Sequence, residues 1–244
     1  MCRFKSGIIL KDRVFIPDYD SHAEMLEELK IADTADNAKR LFVRAELVPP
    51  KDDVFAPVSE WKYHVDQDIL PDWYVPEVDE KRMRDAVVEW AKEHIHIGVE
   101  IDTINSGTHW IKDCKIGTIC GSTKIEIICG FSDVGNIYGS AKVGNIYDSA
   151  KVGDIYGSAD VRNIYGSAKV GFIYDSANIR SICGSAEVGN IYDFATIEIP
   201  RWSIWEHIKS VCINGDSVLI DRYNHKIYHS GAFETVIAGG QANE

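Results

Sequence analysis

A nine-residue unit repeats without insertion from Gly117 to Ile197, and no other feature constrains the fold of this 244-residue chain so tightly. Two consecutive copies read Gly135-Asn136-Ile137-Tyr138-Gly139-Ser140-Ala141-Lys142-Val143 and Gly144-Asn145-Ile146-Tyr147-Asp148-Ser149-Ala150-Lys151-Val152. A short fixed period defines a stack in which each copy buries its apolar side against its neighbours. Ile holds the third column in every copy, Ala most of the seventh, and Val or Ile the ninth. The eighth column varies through Lys142, Lys151, Asp160, Lys169, Asn178, Glu187 and Thr196, which is the freedom of a solvent-facing site. Apolar residues two apart with a polar residue between them mark strand alternation.

Nine extended residues span roughly 30 Å, too short a circumference to enclose a core. Two copies per coil is therefore the smallest closure. The sequence predicts a mainly β protein: a small α+β head over residues 1–97, a β-helix (β-solenoid) over 98–200 with its clear copies at 117–197, and a C-terminal capping segment over 201–244. The clear copies amount to about four and a half coils, roughly 22 Å of rod. Pro200 is expected to end the repeats, since proline cannot donate to a ladder. Trp202, Trp205 and Ile208 are the apolar residues expected to cap them.

The fifth column alternates between Gly and Asp (Gly121, Gly130, Gly139, Asp148, Gly157, Gly166, Asp175, Gly184, Asp193). Both residues tolerate positive φ, so the column reads as a turn. Gly in six copies of nine argues against a calcium ligand. The fourth column is Tyr or Cys. With two copies per coil, Tyr138, Tyr156, Tyr174 and Tyr192 fall on one ladder, with Tyr147 and Tyr165 opposite. Such ladders serve either as scaffold or as an aromatic stripe that binds a partner. Cys120, Cys129 and Cys183 replace Tyr, and Cys114 falls in the Ala column of a degenerate copy, so these four thiols read as small buried hydrophobes. Six cysteines without a secretory signal point to a reducing cytoplasm.

The head carries six of the seven prolines, and residues 1–100 hold −8 of the −12 net charge. No apolar run reaches the length of a membrane span, and the absence of a basic stripe disfavours nucleic-acid phosphates as a ligand. A hairpin over Cys2–Ile16, a helix capped by Ser21, strands over Leu41–Val48 and Glu60–Asp66, and a helix opening after Pro76 compose it. Strand alternation places Arg44 and Glu46 on one face and His64 and Asp66 on another. If these faces align, the four gather around Cys2 or His22 as the one candidate polar site; the structural alternative is a wet sheet face with cross-strand ion pairs. His94 and His96 lack a third ligand, and no metal or cofactor motif is present. The acidic head residues Asp66, Asp68 and Asp72 are candidate contacts for a basic partner.

A cysteine directly after Met1 is similar to the N-terminal nucleophile of glutamine-amidotransferase-type hydrolases and of enzymes that crosslink to abasic DNA, although Arg3 stands where those families usually have Gly. The stretches Met1-Cys2-Arg3-Phe4-Lys5-Ser6, Asp20-Ser21-His22, Phe42-Val43-Arg44-Ala45-Glu46-Leu47 and Val65-Asp66-Gln67-Asp68, leading to Pro71-Asp72-Trp73, resemble an uncharacterised family of bacteriophage and prophage proteins with a head followed by short repeats. The resemblance implies expression in a bacterial cytoplasm and no catalytic residues. Three functions follow as expectations. The first is an interaction protein that binds, and in binding can inhibit, a host or defence protein. The second is an enzyme using Cys2 or the Arg44/Glu46/His64/Asp66 face. The third is a structural rod or homo-oligomer.

Overall fold

The computed structural model describes residues 4–199, 212–213, 216–222 and 226–229. The chain divides into two compact units, one ending at Ile95 and the other beginning at His96.

In the first unit, β1 (Lys5–Leu10) and β2 (Val14–Phe15) form the expected hairpin, closed by the Leu10 amide donating to the Arg13 carbonyl. Ser21 caps α1 (His22–Glu28) by accepting from the Glu24 amide, and Met25 and Leu26 face inward. A short helix that the sequence pattern did not reveal follows, α2 (Ala35–Arg40), capped by Thr34. Then come β3 (Phe42–Val48), β4 (Lys62–Val65) and α3 (Pro76–His94), which has Pro76 in its first turn and buries Met83, Val87 and Trp90. The four strands make an antiparallel sheet in the order β2-β1-β3-β4. Alternation splits β1 between two layers. Ile8 and Leu10 pack with Met25, Leu26, Ala38 and Phe42 on the α1 side. Gly7 lies against Met83 on the α3 side, where any Cβ would crowd that side chain, and Lys5 sits over the Trp90 ring.

The second unit is a β-solenoid of about six turns. Coils close at eighteen residues: Asp133 stands opposite Lys151, and Ile137 opposite Ile155. Successive repeats alternate between two sheets of seven and nine strands in which the repeat strands pair in parallel, so the cross-section is two-sheeted. A typical strand turns Val or Ile inward, the next two residues outward, and Ile inward again; in Lys124–Cys129 the second of the two, Ile127, is buried as well. Ile146, Ile155, Ile164, Ala150 and Ala159 are fully buried and Val152 nearly so, while Lys142, Lys151 and Lys169 are exposed. Burying each Ile contributes roughly 1.5–3 kcal/mol, repeated twice per coil.

The coils extend beyond the clear copies at both ends. Glu100–Ile104 and Thr108–Lys112 already stack in parallel on Lys115–Ile119 and Lys124–Cys129. Pro200 ends the nonapeptide pattern but not the ladder, because Cys212–Ile213 and Val218–Asp221 add a further rung to each sheet. Lys226–His229 then pairs antiparallel with Val218–Asp221 and covers that edge. Trp202, Trp205 and Ile208, expected as the cap, lie outside the described residues. All nine residues of the fifth column have positive φ, between 56° and 73°. No helix among the described residues is long and apolar enough to cross a membrane.

Candidate functional site

The α1 face of the head sheet carries a polar cluster at the end opposite its apolar core. Register builds it: Ser6 is the partner of Glu46, and Glu46 the partner of His64, so all three side chains emerge on one face. Asp66 follows β4, and its amide donates to the Arg44 carbonyl. His22 enters from above as the first residue of α1, with its side chain about nine-tenths buried. Its Nε2 lies 3.3 Å from the Ala45 carbonyl oxygen, to which it donates in the tautomer that carries its proton on Nε2. Nδ1 faces the carboxylates, 3.3 Å from Asp66 Oδ2. His22, Glu46 and Asp66 each bring one ligand atom within 4.8 Å of the others.

Glu46 is half-buried. Burial raises its pKa from the ordinary value and the Asp66 and Asp20 charges raise it further, while His22 and His64 pull it down. Beside it, Ser6 is fully buried and its hydroxyl has no hydrogen-bond partner. The Ser6 amide donates to Asp20 Oδ1 at 3.1 Å. The same oxygen accepts from the buried Lys5 ammonium at 2.9 Å, whose pKa burial depresses against the pull of Asp20.

Of the residues expected at this site, His22, Glu46 and Asp66 converge and His64 stands exposed beside them. Arg44 does not join: its guanidinium pairs with Asp33 and lies over the Phe42 ring. Asp33 sits just ahead of the short helix that the sequence did not announce. Cys2 lies outside the described residues. Ser6 was missed, although it is the one polar residue in the alternate series Ser6, Ile8, Leu10, which is the signal that marks it. Asp66 is engaged by His22, whereas Asp68 and Asp72 are exposed. His94 and His96 do not share a strand. His94 ends α3, stacks on Trp90 and pairs with Asp18, while His96 hydrogen-bonds and stacks on His109.

The solenoid presents a second candidate surface. Tyr138 stacks on Tyr156 at 4.9 Å and Tyr156 on Tyr174 at 4.8 Å, along one turn edge. Tyr147 stacks on Tyr165 at 4.9 Å on the opposite edge. All are half-buried. On the first edge Phe172 stacks with Tyr192 at 6.3 Å, and the Phe194 amide donates to the Asp175 carbonyl one coil earlier. Phe172 and Phe194 are 45% and 66% exposed. Cys129 and Cys114 are buried, and burial pushes the Cys129 thiol up to about 11, which keeps it protonated and unreactive.

The two outer faces differ. The first column of the seven-stranded sheet is Gly in five successive strands (Gly117, Gly135, Gly153, Gly171, Gly189), leaving two shallow grooves of about 440 and 430 Å³. The nine-stranded sheet carries Glu126, Gly144, Arg162, Arg180 and Glu198 in the same column. Comparison with protein-family models, curated proteins and solved structures gives no match, so the reading rests on geometry.

Proposed function

We propose that this chain is a binding protein that engages a partner protein through the aromatic edge of its solenoid. The supporting observation is the pair Phe172 and Phe194. Phe172 occupies a column that holds Thr118, Asn136, Asp154 and Asn190 in the other coils of its sheet. Phe194 occupies one that holds Ser122, Ser140, Ser158 and Ser176. The repeat folds with polar residues at both positions, so neither ring is required by the core. Both stay exposed beside Tyr174 and Tyr192, which adds apolar and aromatic area of the kind found at interface centres. A host or defence protein is the partner class that the head's resemblance implies. The acidic head would speed its association if it is basic.

The double variant Phe172→Asn/Phe194→Ser restores the repeat's own residues and should melt as the parent does. A photoreactive residue at Ser176, on the same edge, should crosslink a partner in host cells with the parent chain and lose it in the double variant. An equal yield from both chains, or no crosslink from either, overturns the reading.

A further inference from the structure

We infer that His22, Glu46 and Asp66 form a binding site for a divalent transition-metal ion of the Mn²⁺, Fe²⁺ or Zn²⁺ class on the α1 face of the head. Four observations carry this. The first is convergence: one imidazole nitrogen and two carboxylates lie within 4.8 Å of one another, supplied by α1, β3 and the residue after β4. Ligand bonds to such ions are about 2.0–2.2 Å, so a modest rotation of the exposed Asp66 side chain closes the set.

The second is the orientation of His22. Nε2 faces the Ala45 carbonyl and Nδ1 faces the carboxylates, so the Nε2–H tautomer would aim the Nδ1 lone pair at them; a backbone carbonyl on the far nitrogen is how ligand histidines are held. The third is the set of groups without a partner. Among the described residues the Glu46 carboxylate makes no hydrogen bond or ion pair, and directly across from it the fully buried Ser6 hydroxyl makes none. A buried hydroxyl left unpaired is costly, and one beside a fixed carboxylate would donate to it. The fourth is charge. Two carboxylates against one imidazole leave a net negative charge even when the ring is protonated, and a cation neutralises it.

The donor set selects the class. Mg²⁺ and Ca²⁺ prefer oxygen ligands throughout, whereas an imidazole with carboxylates suits first-row divalent ions. Three protein ligands leave positions open on the side where Asp66 and His64 meet solvent. No ligand spacing announces the site, because its members are 24 and 20 residues apart along the chain.

The test uses full-length protein stripped with chelator and titrated with Mn²⁺, a probe for which thiols elsewhere in the chain are poor ligands. Loss of the free-ion electron paramagnetic resonance signal should report one equivalent bound. Glu46→Gln and His22→Gln should each weaken binding by more than about tenfold. Ser6→Ala should weaken it less, and Glu89→Gln, on the exposed side of α3, should leave it unchanged. Circular dichroism checks that each variant is folded. If Glu46→Gln fails to fold, Asp66→Asn carries the same test. Absence of binding, tight binding of Ca²⁺ in preference to Mn²⁺, or binding that survives loss of two of the three ligands overturns the inference.

Discussion

Asp148 Oδ2 accepts a hydrogen bond from the Gly130 amide, eighteen residues earlier and one coil below. Asp175 does the same for Gly157 at 3.0 Å. The alternation of Gly and Asp in one column therefore has a physical meaning. Either residue can hold positive φ, and Asp adds a bond to the neighbouring coil. Asp148→Gly should lose only that bond, about 0.5–1 kcal/mol for an exposed pair. Asp148→Ala should also meet the left-handed penalty of about 1–2 kcal/mol, and Asp148→Asn should be nearly neutral. Thermal unfolding that ranks Ala above Gly would show that backbone conformation does not govern this turn.

Ile155 is fully buried and Lys151, four residues before it on the same strand, is exposed. Ile155→Asp places an unpaired carboxylate between the sheets and should cost more than about 3 kcal/mol, the scale of a cavity plus a buried charge. Lys151→Asp should fall within about 0.5 kcal/mol of the parent. Denaturant melts of the two variants decide the matter, and equal midpoints would mean that the inward register is wrong.

Asp160 accepts from Arg180 Nε at 3.0 Å and from Asn178 across one coil. Arg180 holds its carboxyl below the ordinary carboxylate value. A carboxylate whose pKa is depressed by folding stabilises the fold above its unfolded pKa and ceases to do so as pH falls through the folded one. Acid titration of the parent from pH 5 downward should lose this contribution below about pH 4. Arg180→Met should remove that part of the acid dependence while leaving the neutral-pH fold intact; an identical acid profile would show the pair to be inert.

The solenoid was legible because every column of the repeat obeys one physical requirement, and the closure argument gave two repeats per coil. Its ends were not. Ile101 and Ile104 keep the inward spacing of Ile116 and Ile119, but they stand opposite those residues at a separation of fifteen rather than eighteen. At the other end Ile197 stands opposite Leu219, twenty-two residues on. A shortened coil and a lengthened one break the periodic signal without breaking the ladder. In the head, alternation put Glu46, His64 and Asp66 on usable faces. The β3–β4 register that sets Glu46 against His64 comes from pairing, which a single strand does not encode. Arg44 was misplaced because its partner Asp33 lies by α2, a helix of six residues, too short for its periodicity to stand out.

Eighteen residues per coil, with each nonapeptide making half of it, gives this rod a parity. An inserted pair of repeats adds a rung and leaves every later residue on its own side. A single inserted repeat would rotate everything downstream by half a turn, carrying later members of the Tyr138–Tyr156–Tyr174 ladder to the edge of Tyr147 and Tyr165 and later glycines to the arginine-bearing face. Length in this molecule is thus adjustable only in even steps if the two sides are to remain distinct.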